Sequence, residues 1–169
     1  MLEHGYAGGN LPRGQNAEEG EEQMNRIVVG IDGSPESKET LQWAVAEAKL
    51  RGAALRVVHA WTFPYVAAGP GLDPMLDAQM IDDVRRNAEE LLERELSELG
   101  DEAAGVDIER VVVEGAPAPA LIEAAEGSDL LVVGSRGHGG FGGLLLGSVS
   151  QQCSHHAPCP LVIVRARTD

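Results

Sequence analysis

Asp129-Leu130-Leu131-Val132-Val133-Gly134-Ser135-Arg136-Gly137, nine further residues, and then Gly147-Ser148-Val149-Ser150 make up the stretch that decides the fold. Its first five residues are a short apolar run bounded by turn formers, the pattern of a buried strand. Seven of the 14 residues from Gly134 to Gly147 are glycine, and glycine lets backbone N–H groups come close to a ligand. Ser148 to Ala157 then reads as a helix. A strand, a glycine-rich loop and a helix start, in that order, bring free amides and the positive end of a helix dipole to one place. That is the chemistry of a phosphate cradle.

Two other phosphate motifs overlap these residues, and neither holds. Gly142 to Ser148 fits G-x-x-x-x-G-S but lacks the lysine that a P-loop places before its Ser or Thr. Gly137 to Gly142 spells G-x-G-x-x-G, yet a dinucleotide fold needs that motif early, with an acid about 20 residues on. Here that region is Leu161-Val162-Ile163, and the chain is nearly finished.

Working outward, the rest of the chain repeats one unit. Residues 1–25 hold five glycines and five glutamates with no apolar period; the expectation is a disordered acidic tail. The folded domain is expected over 26–169. Ile27 to Ile31 is a strand ending at Asp32-Gly33-Ser34-Pro35, where Ser34 suits an N-cap and Pro35 the first helical turn. Leu41, Ala44, Val45 and Ala48 keep helical spacing until Gly52. Ala54 to Ala60 is a second strand, and Trp61 to Pro74 a loop. Met75 to Leu99 reads as a long amphipathic helix with Met80, Val84, Ala88, Leu91 and Leu99 on one face. Asp82/Arg86 and Glu90/Arg94 would pair on its wet side. Val106 to Val113, a helix over Ala118 to Glu126, the strand and loop quoted first, and Leu161 to Val164 complete the order. Strands alternating with helices at these lengths predict an α/β fold, an open parallel sheet with helices on both faces. Its ligand would lie beyond the carboxyl ends of the strands.

Composition bounds the chemistry. The chain has 169 residues and a net charge of −14, which argues against nucleic acid, where phosphates need basic clusters. No apolar run approaches the length of a membrane span, and no signal-peptide pattern is present, so the expectation is a soluble cytoplasmic protein with no membrane partner. Cys153 and Cys159 are too few for a disulfide framework.

Three segments together resemble a known family: Ile27-Val28-Val29-Gly30-Ile31-Asp32-Gly33-Ser34, then Gly134-x2-Gly137-x9-Gly147-Ser148, then Pro158-Cys159-Pro160-Leu161-Val162-Ile163-Val164. From Arg26 to Arg165 the chain looks like a universal stress protein of the ATP-binding branch. That resemblance implies a single Rossmann-like sheet of five parallel strands in the order 3-2-1-4-5. It implies an adenine nucleotide, ATP, in the crevice and a homodimer; a divalent cation such as magnesium would come with the phosphates, and the apolar edge strand Leu161 to Val164 is where two copies would pair. By position, Asp32 would contact the nucleoside and the backbone at Ala60 would meet adenine. Gly134 and Gly137 would line ribose and phosphates, with Arg136 adding charge, although the family does not fix the residue at that position. Gly147, Ser148, Val149 and Ser150 would hold phosphate through amides and hydroxyls.

Other readings stand beside these. Asp32 can simply open a turn, since Asp-Gly-Ser is turn chemistry. His59 reads as a satisfied core or rim histidine, and His138 as solvated or near phosphate. Cys153-Ser154-His155-His156-Ala157-Pro158-Cys159 lacks the paired spacing of a zinc site, so no metal ligand is expected there, and no catalytic residue is expected because no Ser/His/Asp or Cys/His set offers a base with an evident orienter. The function expected is a nucleotide-binding stress or signalling module. The alternatives are a cyclic AMP-binding relative, a slow ATPase or phosphotransferase, and an interaction protein without nucleotide.

Overall fold

The computed structural model describes residues 25–63, 74–138 and 145–166. The acidic tail, most of the loop after the second strand and the middle of the glycine loop lie outside these residues. Among them the chain runs β1 (Arg26–Ile31), α1 (Pro35–Arg51), β2 (Ala54–Trp61), α2 (Pro74–Glu98), β3 (Ile108–Glu114), α3 (Pro117–Ala124), β4 (Leu130–Gly134), α4 (Ser148–His156) and β5 (Leu161–Val164). The five strands form one parallel sheet in the order β3-β2-β1-β4-β5.

Side-chain alternation along the strands sorts the core into two faces. Ile27, Val29 and Ile31 of β1 share one face with Leu55, Val57, Leu130 and Val132, and the buried stripes of α1 and α2 cover it. Val28, Val58, Leu131 and Val133 point the other way, under Ala118, Leu121 and Ala125 of the α3 region and Cys153 of α4. Both faces are sealed, which is why the strands read as continuous apolar runs rather than alternating ones.

Local chemistry sets the ends of the elements. The Ser37 N–H donates to Ser34 Oγ at 3.2 Å, closing the N-terminus of α1 behind Pro35. Gly52, at φ 62°, takes the left-handed turn that ends it. The third strand begins two residues later than the apolar run, because the Val106 N–H turns back to the Ala103 carbonyl. A 3-10 turn at Gly100–Ala103, unmarked in the sequence, precedes it. Trp61 belongs to β2 rather than to the loop: it pairs with Glu114, and its carbonyl accepts the Gly115 N–H at 2.8 Å.

The wet and dry sides of α2 differ from expectation. Met80 is 47% exposed, while Ala88, Leu92, Leu96 and Leu99 are buried. At 100° per residue the stripe is centred on Ala88 and drifts away from Met80. Among the described residues the ion pairs within α2 are Arg85 with Asp82 at 3.0 Å and Arg86 with Asp83 at 3.7 Å, both at i,i+3. That spacing also brings side chains together on a helix.

β1 lies between β2 and β4, so the chain leaves it toward one edge through α1 and returns across α3 to the other side. The connections diverge at that point, and a crevice opens above the carboxyl ends of β1 and β4.

Candidate functional site

The β1 side of the crevice is a self-satisfied turn. Asp32 Oδ1 accepts the Ser34 N–H at 3.0 Å. Ser37 Oγ accepts the Gly33 N–H at 3.1 Å and donates to the Ser34 carbonyl at 3.0 Å. Gly33 sits at φ 80°, a conformation that favours glycine. Burial pushes the Asp32 carboxyl up, but hydrogen bonds from Ser34 and His138 outweigh it and hold the group below its ordinary value. Asp32 is therefore an anion at neutral pH.

The β4 side is built differently. The Gly147 N–H donates to the Ser135 carbonyl at 2.7 Å, and Ser150 Oγ reaches the Ser135 and Gly147 carbonyls at 3.0 Å each. These bonds staple the start of α4 to the end of β4. No side chain caps α4 at Gly147, and the first helical bond runs from the Gln151 N–H to the Gly147 carbonyl. Among the described residues the first-turn amides of α4 are thus uncapped, whereas Ser34 and Ser37 close α1. Of the two helix starts at the crevice, α4 is the one left able to take an anion.

Between these walls lies a cavity of about 470 Å³, within the roughly 300–1,000 Å³ usual for small-ligand sites. Its floor is apolar: Val58, Val133, Pro117 and Leu121 line it. Gly30 lets Leu121 down onto the sheet, since a Cβ there would sit 2.6 Å from Leu121 Cδ1. Gly134 is also closely packed, with its missing Cβ 3.1 Å from both the Arg136 carbonyl and Thr40 Oγ1.

Asp32, Ala60, Gly134, Arg136, Gly137, Gly147, Ser148, Val149 and Ser150 all line this one cavity. Ser150 does so in a narrower role than expected. It is 1% exposed and its single hydroxyl proton is engaged on backbone carbonyls, leaving only its amide for a ligand. The floor residues escaped the sequence reading, although Gly30 inside an apolar strand and the i,i+4 pair Pro117/Leu121 were visible signals. His59 is buried and its Nδ1–H donates to the Ile31 carbonyl at 2.9 Å, as a satisfied core histidine does. Cys153 is fully buried, and among the described residues no three His, Cys, Asp or Glu side chains converge on a metal position.

Comparison with known proteins gives consistent results. The model of the universal stress protein family matches residues 24–165. Universal stress protein Rv2005c of Mycobacterium tuberculosis is 40% identical over 139 residues, covering 82% of this chain and 45% of the relative. The chain thus spans about half the length of that curated relative. Among solved structures, universal stress protein UspA from Lactobacillus plantarum superposes with a TM-score of 0.68 at 20% identity, over 83% of this chain and 97% of that one. A universal stress protein in complex with cAMP superposes at 0.54 with 31% identity, over 84% and 97%.

Proposed function

Because the chain belongs to the universal stress protein family, we propose that the crevice between β1 and β4 binds an adenine nucleotide, with ATP as its ligand. One observation carries this reading: the uncapped start of α4 faces a cavity with an apolar floor. The floor suits a purine ring, and the backbone at Ala60 stands at its rim. Asp32 keeps lone pairs for the ribose hydroxyls or the adenine amino group. Gly134 and Gly137 flank the ribose and phosphates. The amides of Ser148, Val149 and Ser150, with the Ser148 hydroxyl, take phosphate oxygens, while Gly147, its own N–H held by the Ser135 carbonyl, lets the phosphate approach closely. Among the described residues Arg136 joins no ion pair, so its guanidinium is open to a charge-assisted contact. A divalent cation such as magnesium would arrive on the phosphates rather than in a preformed carboxylate site.

The reading is of a protein that senses or carries nucleotide in stress signalling, as a homodimer in the cytoplasm. Two free cysteines suit a reducing compartment, and among the described residues no helix is long and apolar enough to cross a membrane. The slow ATPase or phosphotransferase alternative would use the same crevice, and single-turnover phosphate release in a variant lacking Asp32 separates hydrolysis from binding.

Cyclic AMP is a second reading, favoured by the 31% identical structure solved with it. ATP is preferred because several uncapped amides and Arg136 suit more than one phosphate group. Mass spectrometry of small molecules released from the purified protein, followed by calorimetry, tests both. The expected result is adenine nucleotide in the released fraction and ATP binding about tenfold or more tighter than cyclic AMP, a gap of ~1.4 kcal/mol. The reverse order makes cyclic AMP the ligand, and no binding by either at millimolar concentration rejects the reading.

A further inference from the structure

We infer that Asp32 is a positioning residue for the start of the glycine loop: its carboxylate accepts the His138 amide, holds Gly137 and His138 against the β1 wall of the crevice, and so sets the shape of the phosphate cradle. Its affinity arm rests on the nucleotide reading above; the contact itself does not.

The geometry has two independent parts. Asp32 Oδ1 is pinned from the α1 side by the Ser34 N–H, and Oδ2 accepts the His138 N–H at 3.0 Å. Asp32 and His138 are 106 residues apart, but they follow the adjacent parallel strands β1 and β4. One hydrogen bond therefore ties the two walls of the crevice together at the switch point. The second part is Gly137. A Cβ built there would overlap the Asp32 carboxylate, and its three nearest neighbours are all Asp32 atoms. Gly137 has no left-handed φ to explain it, so closeness to Asp32 is what requires a glycine. The carboxylate is ionised, and a charged acceptor makes the bond stronger than a neutral one.

Two substitutions break the contact from opposite sides. In Asp32→Asn the side-chain oxygen can still accept from Ser34, but the amide group turned to His138 donates and cannot accept. Gly137→Ala intrudes a methyl between loop and carboxylate at a backbone conformation that alanine tolerates. Hydrogen exchange of the His138 amide, followed by NMR in the ligand-free full chain, reads the contact directly. Each substitution should speed that exchange roughly tenfold while amides of the central strands stay protected. Binding of inorganic tripolyphosphate, which has no base or ribose, reads the consequence. Removing a negative charge near the crevice should by itself tighten an anion, whereas a loosened cradle weakens it. The inference predicts about tenfold weakening in Asp32→Asn. It also predicts that the double variant is little worse than either single one, as expected for groups in one contact.

A His138 amide that exchanges equally fast in the wild type and Asp32→Asn overturns the positioning role, whatever the ligand results. So does unchanged or tighter tripolyphosphate binding by Asp32→Asn. If wild type binds neither tripolyphosphate nor ATP, the nucleotide reading fails, and the exchange measurement still decides the contact.

Discussion

Glu95 is the residue whose position conflicts most with its chemistry. It follows Ala88 by seven residues and precedes Leu99 by four, which puts a carboxyl at the centre of the buried stripe of α2. It is 3% exposed, and among the described residues its Oε2 has no hydrogen-bond partner. Burial pushes the Glu95 carboxyl up; the charge of Lys38, itself bonded to Glu98, offsets part of this, Arg94 helps, and Glu98 and Asp32 add to the rise. The unfolded chain ionises this group near its ordinary value of 4.5, whereas the folded chain resists ionisation. Its contribution is therefore most favourable below that pH and is lost as pH rises through the raised folded value. Glu95→Gln should stabilise the protein at pH 8, with the gain fading toward pH 4. A gain of about 1 kcal/mol corresponds to a melting temperature higher by roughly 2–4 °C in a domain of this size. Thermal melts of both proteins across that range are the check, and a variant less stable at pH 8 would show that Glu95 is bonded there.

At the scale of the element, α4 can be tested without disturbing the fold. Ser148 is the first residue of α4, and Gly147 before it has φ −76° and ψ 168°. Proline is favoured at a first helical position, and it wants an extended residue in front of it. Ser148→Pro should thus leave the helix in place while deleting both the amide and the hydroxyl offered to phosphate. Ser148→Ala deletes only the hydroxyl. The expected order by calorimetry with ATP is a loss of ~0.5–1.5 kcal/mol for alanine and a clearly larger loss for proline. Urea unfolding of Ser148→Pro should stay within about 1 kcal/mol of wild type. Undiminished ATP affinity in the proline variant would remove α4 from the site.

At the scale of the whole molecule, β5 ends the sheet with an apolar edge. The Leu131 N–H donates to the Pro160 carbonyl and the Ser135 N–H to the Val164 carbonyl. Even-numbered residues of this strand therefore face β4, and Leu161 and Ile163 turn their N–H and C=O groups to the free edge. All four residues of β5 are only half-buried. An edge of this kind invites pairing with another strand, and an isologous two-fold dimer satisfies both copies at once. Ile163→Pro removes an outward donor without touching the ladder to β4, so it should weaken self-association while leaving the monomer folded. Sedimentation equilibrium at micromolar concentration measures this, and a monomer mass for the wild type rejects the homodimer.

The sequence by itself determined the sheet order, through the family resemblance, and the parallel βαβ class, through strands and helices of alternating length. It also marked the residues that line the crevice, because a glycine-rich loop between a buried strand and a helix start has few other uses. These features are local: caps, periods and spacings act within a few residues of one another. Tertiary structure alone decided that Ser150 spends its hydroxyl on the Ser135 carbonyl and that Leu121 descends over Gly30 to floor the cavity. It alone set Asp32 against the His138 amide and buried Glu95. The contacts among these join groups from 15 residues apart, for Ser150 and Ser135, to 106 apart, for Asp32 and His138. Local pattern carries no record of such distances, because only the packing of helices on both faces of the sheet fixes them.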